Sequence, residues 1–389
     1  MKRLSSIHIG IDYTAAAWQG AGIGRYTREL VRAVLAQGQR HRYTLFYAAG
    51  WPGARVPYEG ELRQLCETHP NVRAAPIPLP PRRLTQLWHR LRAPLPVELF
   101  TGPLDVLHAP DFVLPPNRAR RRLVTIHDLS YLVHPECALP SVARYLRDAV
   151  PRSLARADAV LADSQATKRD LERLLGVPAA RITVVYPGVG PQFRKLPPEV
   201  TEPVRRRLQL PERFVLFVGT IEPRKNLVRL VEAFHRAFNG EGSALNVHLV
   251  IAGRRGWLYE PVFAAIERLG IGKRVRMLDY VDDSDLPMVY NLAWVFAYPS
   301  IYEGFGFPAL EALSCGAVVV TANNSSLPEA VGDAALLVPA GDVEAITAAL
   351  GRAASDAALR ARLSAAGPAQ ARTFTWERAA RQVLELYRS

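Results

Sequence analysis

Two carboxylates separated by seven residues, Glu303 and Glu311, are the residues of this sequence best placed for chemistry. The apolar run Trp294–Tyr298 before them predicts a buried strand, and Ala309–Ser314 predicts the start of a helix. Because backbone N–H groups at a helix N-terminus favour anions, acids beside such an end indicate a ligand with hydroxyls and phosphates, such as a nucleotide sugar. Taken singly, Glu303 is better explained as a capping residue and Glu311 as an exposed helix residue.

A second motif, Gly219–Asn226, follows the predicted strand Phe214–Val218 and precedes a helix. Arg224 and Lys225 stand where the phosphates of a ligand would lie, one as a planar fork and the other as a compact charge. The alternative is two exposed cations at a helix N-terminus. Since the helix dipole disfavours cations there, a compensating anionic ligand is the better explanation.

Two further motifs lie in the first half of the chain. Gly22 and Gly24 belong to a glycine-rich turn, Gly20-Ala21-Gly22-Ile23-Gly24, that opens the first helix and allows close approach to the backbone. His127 and Asp128 end a strand, where His127 could contact a substrate hydroxyl and Asp128 could orient it. A structural role for this histidine is the commoner alternative, and His108 and His134 are weaker candidates.

Short β-branched runs alternate with longer amphipathic runs along the chain. Strands are predicted at Ile7–Ile11, Tyr43–Tyr47, Val106–His108, Leu123–His127, Ala159–Ala162, Ile182–Val185, Phe214–Val218, Val247–Ala252, Val275–Leu278, Trp294–Tyr298 and Val318–Thr321. Helices are predicted at Ile23–Ala36, Ser141–Ser153, Gln165–Leu175, Leu227–Phe238 and Glu344–Arg352. This alternation predicts an α/β fold of two doubly wound, Rossmann-like domains. The Pro- and Gly-rich stretch Pro187–Pro198 predicts the linker, so a cleft between residues 1–194 and 195–373 is the expected site.

Composition restricts the class of protein further. The 389 residues carry a net charge of +13, held mostly by residues 1–190, which contain 26 Lys and Arg against 15 Asp and Glu. Such a face attracts nucleic acid, anionic lipid or phosphorylated substrates, and a solvated Arg-rich surface is an equally good explanation. Three scattered cysteines fit reduced thiols, and no stretch resembles a signal peptide or a membrane span, so a cytoplasmic location is expected.

Together, the motifs resemble glycosyltransferase family 4, the retaining hexosyltransferases of GT-B fold. The resemblance covers nearly the whole chain. It rests on Gly22-Ile23-Gly24-Arg25-Tyr26, Thr125-Ile126-His127-Asp128, Gly219–Asn226, Tyr302–Glu311 and Phe374-Thr375-Trp376-Glu377. It implies an acceptor-binding first domain, a donor-binding second domain, and a last helix, within residues 374–389, that crosses back to the first domain.

Carried over by position, the resemblance assigns a role to each motif. Arg224 and Lys225 would bind the donor diphosphate and stabilise it as it leaves, and Glu303 would contact hydroxyls of the transferred sugar. Glu311 would hold the ribose hydroxyls, and His127 would lie near the sugar and the acceptor. Further donor contacts are expected from Gly22, Gly24, Gly219, Tyr280, Val281, Phe305, Gly306 and Phe307.

The resemblance also implies what the protein uses. No cofactor or metal is expected, because the cations do the work at the leaving group, and Asp283-Ser284-Asp285, which has the D-x-D form of a metal-holding motif, precedes a helix and fits ordinary caps. Many relatives carry Arg where this chain has Thr220, so one phosphate contact is absent or supplied differently. The amino-acid sequences of the motifs are similar to those of bacterial mannosyltransferases of surface polysaccharide assembly. This similarity implies GDP-mannose as donor and a glycan or lipid-linked acceptor.

One stretch of the first half is relevant to a membrane-bound acceptor. Four apolar residues lie among four arginines there: Leu84, Leu87, Trp88 and Leu91 among Arg82, Arg83, Arg90 and Arg92. This pattern predicts either an amphipathic surface for peripheral association with the inner, anionic face of a membrane or, slightly better, a stripe that packs on the sheet.

Two other functions fit parts of the sequence. A sugar-nucleotide epimerase has the same architecture but uses no acceptor. A basic nucleic-acid-binding protein would fit the charge alone, since recognised binding motifs are absent, and nucleic acid is therefore not an expected partner.

Overall fold

The computed structural model describes residues 6–20, 22–238 and 246–389, so Ala21 of the first glycine-rich turn lies outside the described residues. The chain forms two compact units. Unit 1 comprises Met1–Leu132, Pro140–Gly188 and Thr375–Ser389, and unit 2 comprises Val133–Leu139 and Val189–Phe374. The chain passes from one unit to the other within the predicted linker, at Gly188, and returns at Thr375.

Unit 1 is built on a parallel sheet whose described strands have the order β3-β2-β1-β4-β5-β6-β7. They are β1 (His8–Asp12), β2 (Arg42–Ala48), β3 (Val72–Ile77), β4 (Val106–Ala109), β5 (Arg121–Ile126), β6 (Ala159–Ala162) and β7 (Ile182–Val184). The strand order reverses at β1, and such a reversal opens a crevice for ligands at the carboxyl ends of the strands. The helices are α1 (Thr14–Trp18), α2 (Ile23–Gln37), α3 (Glu59–Thr68), α4 (Pro81–Thr85), α5 (Glu98–Thr101), α6 (Ser130–Val133), α7 (Pro140–Arg156) and α8 (Gln165–Leu175).

Unit 2 contains a second parallel sheet, with described strands in the order β10-β9-β8-β11-β12-β13. They are β8 (Phe214–Val218), β9 (His248–Ala252), β10 (Val275–Asp279), β11 (Val295–Tyr298), β12 (Val319–Ala322) and β13 (Ala335–Val338). The helices are α9 (Pro198–Arg207), α10 (Leu227–Phe238), α11 (Glu260–Arg268), α12 (Leu286–Leu292), α13 (Phe307–Ser314), α14 (Leu327–Val331), α15 (Val343–Ser355) and α16 (Ala357–Ala371). The central strand β8 reads Phe-Val-Leu-Phe-Val and is buried, as a parallel strand covered on both faces must be.

The last helix, α17 (Trp376–Arg388), belongs to unit 1 and packs against α2. Its first turn is capped by Thr375, whose hydroxyl accepts the N–H of Arg378 over 3.2 Å. Near its end, Tyr387 Oη lies 2.8 Å from Nδ1 of His108. Burial lowers the pKa of His108 to about 3, so this histidine is neutral. Its hydrogen bond holds the last helix in place, which is a structural role rather than a substrate contact.

The predicted α/β fold is confirmed, and the sequence-predicted strands are present with small shifts at their ends. Two strands were missed, β3 and β13. Both lie at an edge of their sheet. Strand β3 reads Val-Arg-Ala-Ala-Pro-Ile, and its Ala and Pro residues have low strand propensity. Among the described residues, no helix is both long enough and apolar enough to cross a membrane.

Candidate active site

The loop between β8 and α10 holds the two predicted phosphate-binding cations. Arg224 and Lys225 lie in a single 3₁₀ turn, and Asn226 ends it in the left-handed conformation, with φ of 62°. The Asn226 amide donates hydrogen bonds to the carbonyls of Pro299, over 2.9 Å, and Ala340, over 2.7 Å. These bonds fix the loop to the ends of β11 and β13, so both cations are rigidly placed.

Glu303 is the centre of the hydrogen-bond cluster that these cations form. Lys225 donates to Oε1 of Glu303 over 2.6 Å, and Arg224 donates to Oε2 over 2.9 Å. The hydroxyl of Tyr298 donates to Oε1 over 2.9 Å and accepts from Lys225 over 2.6 Å. Arg224 also donates to Glu222 over 2.7 Å. Three of the predicted site residues are therefore brought together, along with two that the sequence did not single out, Glu222 and Tyr298.

The charges of this cluster balance within the protein. Burial alone would raise the pKa of Glu303, but Arg224 and Lys225 outweigh it and lower that pKa to about 2. Burial, helped by Arg224, lowers the pKa of Lys225, and Glu303 opposes this shift. Lys225 is only 8% exposed, so the interpretation of two exposed cations is wrong. The carboxylates of Glu222 and Glu303 form ion pairs with these two cations.

The backbone of Glu303 is held as firmly as its side chain. Its N–H donates to Oγ of Ser325 over 3.0 Å, and Ser326 Oγ donates to its carbonyl over 2.9 Å. The carbonyl of Tyr302 accepts from Arg224 over 2.8 Å. The serines follow β12, a different strand from the one that leads to Glu303, and no pattern around Glu303 itself could have indicated them.

Glu311 lies in α13 and is buried, with 3% of its surface exposed. The hydroxyl of Tyr290, in α12, donates to Oε2 of Glu311 over 3.0 Å. The interpretation of Glu311 as an exposed helix residue is therefore wrong. Burial of a carboxylate lowers the stability of the folded state, even when a tyrosine hydroxyl donates a hydrogen bond to it. Such a buried acid is typical of a ligand-binding residue.

The predicted phosphate-binding backbone lies between the two acids. Gly306 occupies the cap position of α13 with φ of 103° and supplies no side-chain cap. A Cβ atom at Gly306 would also lie 2.7 Å from Leu327, so only glycine fits there. Phe305 is buried and contacts the rings of Phe307 and Phe374, with centroid distances of 5.5 and 5.4 Å. The helix N-terminus is thus anchored by apolar contacts.

The remaining predicted donor contacts of unit 2 lie at neighbouring strand ends. Gly219 follows β8, and its N–H donates to the carbonyl of Ala252 at the end of β9, over 2.9 Å. Tyr280 follows β10 and is 41% exposed, with the guanidinium of Arg254 4.5 Å from its ring centroid. Val281 is half-buried beside it. Arg254 was not found from the sequence, because only the parallel pairing of β9 and β10 brings it to Tyr280.

Asp285, in the D-x-D stretch, is not the helix cap that the sequence predicted. It precedes α12, but its side chain makes no capping hydrogen bond. Instead, Arg207 donates to Oδ1 of Asp285 over 2.5 Å. The cap was overridden because a buried carboxylate gains more from a cation than from a backbone N–H.

In unit 1, the glycine-rich turn is held by a buried arginine. Gly22 caps α2 with φ of 58°, and Gly24 lies against the backbone carbonyl of Gln19, where a Cβ atom would collide. Arg28 is 3% exposed and was missed by the sequence analysis. Its guanidinium donates over 2.7 Å to three carbonyls of the preceding segment, those of Ala16, Gln19 and Gly20.

His127 lies at the end of β5, with both ring nitrogens committed to the protein. Nδ1 lies 2.6 Å from Asp163 Oδ2, and Nε2 lies 2.8 Å from the carbonyl of Pro110. Burial would lower the pKa of His127, but the attraction of Asp163 prevails and raises it to about 9. The ring is therefore a buried cation that donates from both nitrogens. Asp128, its predicted orienting partner, accepts the N–H of Ser130 instead.

Comparison with known proteins identifies the family of this chain. A model described as Glycosyltransferase Family 4 matches residues 20–193, and one described as Glycosyl transferases group 1 matches residues 201–370. Over 378 residues the chain is 33% identical to O-antigen chain mannosyltransferase B of Escherichia coli, an alignment that covers 94% of this chain and 96% of that protein. The chain belongs to glycosyltransferase family 4.

Solved structures agree on the fold of this family 4 protein. Sucrose-phosphate synthase from Thermosynechococcus elongatus superposes with a TM-score of 0.75 at 22% identity, over 98% of both chains. HepE of Anabaena, solved in complex with UDP and glucose, gives a TM-score of 0.71 at 20% identity, again over 98% of both chains. The predicted GT-B fold is thereby confirmed. Family membership makes the protein a glycosyltransferase and disfavours the epimerase and the basic binding protein.

Proposed function

We propose that this glycosyltransferase moves mannose from GDP-mannose to a glycan or lipid-linked acceptor, with retention of anomeric configuration and without a catalytic metal. The observation that carries the proposal is the buried cluster of Glu303 with Arg224 and Lys225. The mannosyl donor is supported by the 33% identity to an O-antigen chain mannosyltransferase over nearly the whole of both chains.

The cluster suits the departure of a nucleoside diphosphate. Negative charge grows on the leaving diphosphate, and cations fixed beforehand lower the barrier because they need no reorganisation during the reaction. Arg224 and Lys225 are such cations, and in the free protein Glu303 occupies them. An arriving diphosphate competes with Glu303 for both. The carboxylate then accepts hydrogen bonds from hydroxyls of the transferred sugar.

The other site residues would hold the rest of the donor. Glu311 accepts the ribose hydroxyls, and the backbone at the start of α13 meets the sugar and phosphate from Phe305 to Phe307. The exposed ring of Tyr280, with Val281, borders the base. Gly219 keeps the loop after β8 close to the phosphates.

The role proposed for His127 is narrower than the sequence implied. Both of its ring nitrogens already have partners, so a direct hydrogen bond to a sugar hydroxyl would break one of them. We therefore propose that His127 acts on the substrates through its positive charge, which Asp163 maintains.

A lipid-linked acceptor would fit peripheral binding to an anionic membrane. Leu84 and Trp88 are buried, as the packing interpretation of their stripe expects, but other apolar residues nearby are exposed. These are Leu91, Leu95, Leu99 and Phe100, and the arginines Arg82, Arg83, Arg90 and Arg92 of the same stretch are also exposed. Salt-sensitive sedimentation with phosphatidylglycerol vesicles, absent with phosphatidylcholine vesicles, tests this binding.

A thermal-shift screen against nucleotide sugars tests the donor, because a bound ligand stabilises the folded state by mass action. We expect GDP-mannose to raise the midpoint more than UDP-glucose, UDP-N-acetylglucosamine or ADP-glucose. Product NMR with a glycan acceptor should then show retention, and chelator should leave the rate unchanged. Formation of an epimer from donor alone, or a preference for another nucleotide sugar, would overturn the proposal.

A further inference from the structure

Seven residues from the first half of the sequence, Val133–Leu139, belong to unit 2. The chain enters this segment at the last residue of α6, whose first three residues belong to unit 1, and leaves it at the start of α7, also in unit 1. A single 3₁₀ turn, Pro135–Cys137, gives the segment its shape. The indole N–H of Trp257 donates to the carbonyl of Cys137 over 2.8 Å and fixes the segment to unit 2.

This attachment point adjoins the cation-bearing loop. Trp257 follows Gly256, whose N–H donates to the carbonyl of Ile221, over 3.0 Å, on the path to Arg224.

His134 is the residue that the segment brings to the site. Its ring centroid lies 5.8 Å from that of Tyr302, with the rings tilted by 59°. Tyr302 directly precedes Glu303, and its carbonyl accepts from Arg224. A histidine from the first half of the sequence therefore contacts the residue directly before Glu303, the acid assigned to the transferred sugar.

The hydrogen bond of His134 fixes which ring nitrogen is available. Nδ1 lies 3.1 Å from Oε1 of Glu136. The pKa of Glu136 is lowered by a backbone N–H and by His134, so its carboxylate is ionised and can only accept. Nδ1 consequently carries the proton. Nε2 has no hydrogen-bond partner among the described residues, and the side chain is 26% exposed.

We propose that Nε2 of His134 binds a hydroxyl of the sugar being transferred, with Glu136 holding the ring in the required tautomer. This inference rests on the donor site proposed above. A phosphate would be repelled by the exposed carboxylate of Glu136. The base is expected near Tyr280, which follows β10. In the sheet, β9 and β8 lie between β10 and β11, and Glu303 is in the loop after β11. The sugar is the part of the donor that remains.

Isothermal titration tests this assignment, with the nucleotide sugar that the wild-type protein prefers and the matching nucleoside diphosphate. We expect His134→Ala to weaken binding of the nucleotide sugar by about 5–10-fold, the value of one lost hydrogen bond. Binding of the diphosphate should change less than about twofold, because it lacks the sugar. His134→Gln, which keeps a hydrogen-bonding group near the position of Nε2, should recover part of the loss.

Leu139→Ala is the matched control, since it alters an exposed residue of the same segment. It should bind both ligands like the wild-type protein. An equal loss of both ligands in His134→Ala, or no loss of either, would overturn the assignment. If the wild-type protein binds no nucleotide sugar, the proposed function fails instead, so the two results are distinguishable.

Discussion

Lys225 donates a buried hydrogen bond of 2.6 Å to Glu303, and both side chains also bond to the hydroxyl of Tyr298. The cation proposed to receive the diphosphate is thus already paired with the carboxylate proposed to receive the sugar. We expect a diphosphate that binds Lys225 to weaken this ion pair, because the two anions then share the charge of one ammonium group.

Glu303→Gln should separate binding of the nucleotide from transfer of the sugar. Without the carboxylate charge, Lys225 and Arg224 attract a diphosphate more strongly, so we expect affinity for free GDP to rise several-fold. Transfer should fall by about 100-fold or more, because the sugar loses its charged partner. Titration with GDP and steady-state transfer assays measure the two effects. Glu267→Gln, an exposed change in the same unit, is the control, and a GDP affinity that falls in Glu303→Gln would contradict the competition.

Lys225→Ala should lower both quantities. It removes a charge that acts on the leaving group, so transfer should fall by about 100-fold or more, and GDP affinity should fall as well. The variant also strands part of a buried ion pair and should unfold at a lower temperature while keeping its circular dichroism spectrum. Lys273→Ala, an exposed lysine of unit 2, provides the comparison. Wild-type turnover in Lys225→Ala would remove this residue from the site.

Acid should weaken unit 2 through Glu303. Its pKa is about 2 in the folded protein, against 4.5 for an unperturbed glutamate. A lowered folded pKa contributes stability that is present above the unfolded pKa and is lost as pH falls through the folded one. This shift corresponds to about 3 kcal/mol, lost between about pH 4.5 and pH 2. Urea unfolding across that range should show a shallower loss in Glu303→Gln than in the wild-type protein.

The sequence predicted that Arg224, Lys225 and Glu303 lie in loops after strands, because all three follow apolar runs that are typical of buried strands. Carboxyl ends of parallel strands converge, so residues far apart in sequence meet there. Their partners could not be predicted. Tyr298 reads as one more buried strand residue, and Ser325 reaches Glu303 only through the order of strands β11 and β12, which the sequence does not encode locally.

Burial was the second feature hidden from the sequence. Glu311 has the spacing of an exposed helix residue, and only the packing of α12 on α13 encloses it with Tyr290. The ion pair of His127 could not be predicted either. Its partner Asp163 follows the neighbouring strand of the sheet, and no sequence pattern near either residue indicates that they pair. The sequence predicted which residues lie at strand ends. It did not predict their burial or their protonation state, because both depend on tertiary contacts.

Alkali should weaken unit 1 through His127. Its pKa is about 9 in the folded protein, against 6.5 for an unperturbed histidine. A raised folded pKa contributes stability that is fully present below the unfolded pKa and is lost as pH rises through the folded one. We expect a loss of about 3 kcal/mol between about pH 6.5 and pH 9. Unfolding free energies of the wild-type protein and His127→Gln should converge over that interval, and parallel curves would refute the buried imidazolium.

The ribose assignment of Glu311 can be tested with a ligand that lacks a single hydroxyl. If Glu311 accepts ribose hydroxyls, wild-type protein should bind 2′-deoxy-GDP about 5–10-fold more weakly than GDP, since the carboxylate loses a charge-assisted bond. Glu311→Gln should bind GDP more weakly and discriminate less between the two ligands. The coupling energy of this cycle isolates the contact from the effect on folding.

Tyr290→Phe supplies the control for that cycle, because it removes the hydroxyl that holds Oε2 of Glu311 but leaves the carboxylate in place. We expect it to lower affinity for both nucleotides modestly and to keep the preference for GDP. Equal discrimination in Glu311→Gln and the wild-type protein would mean that Glu311 does not touch the ribose. Its burial against Tyr290 would then be a feature of the packing of α12 on α13, and Glu303 would remain as the only ligand-binding acid of the pair.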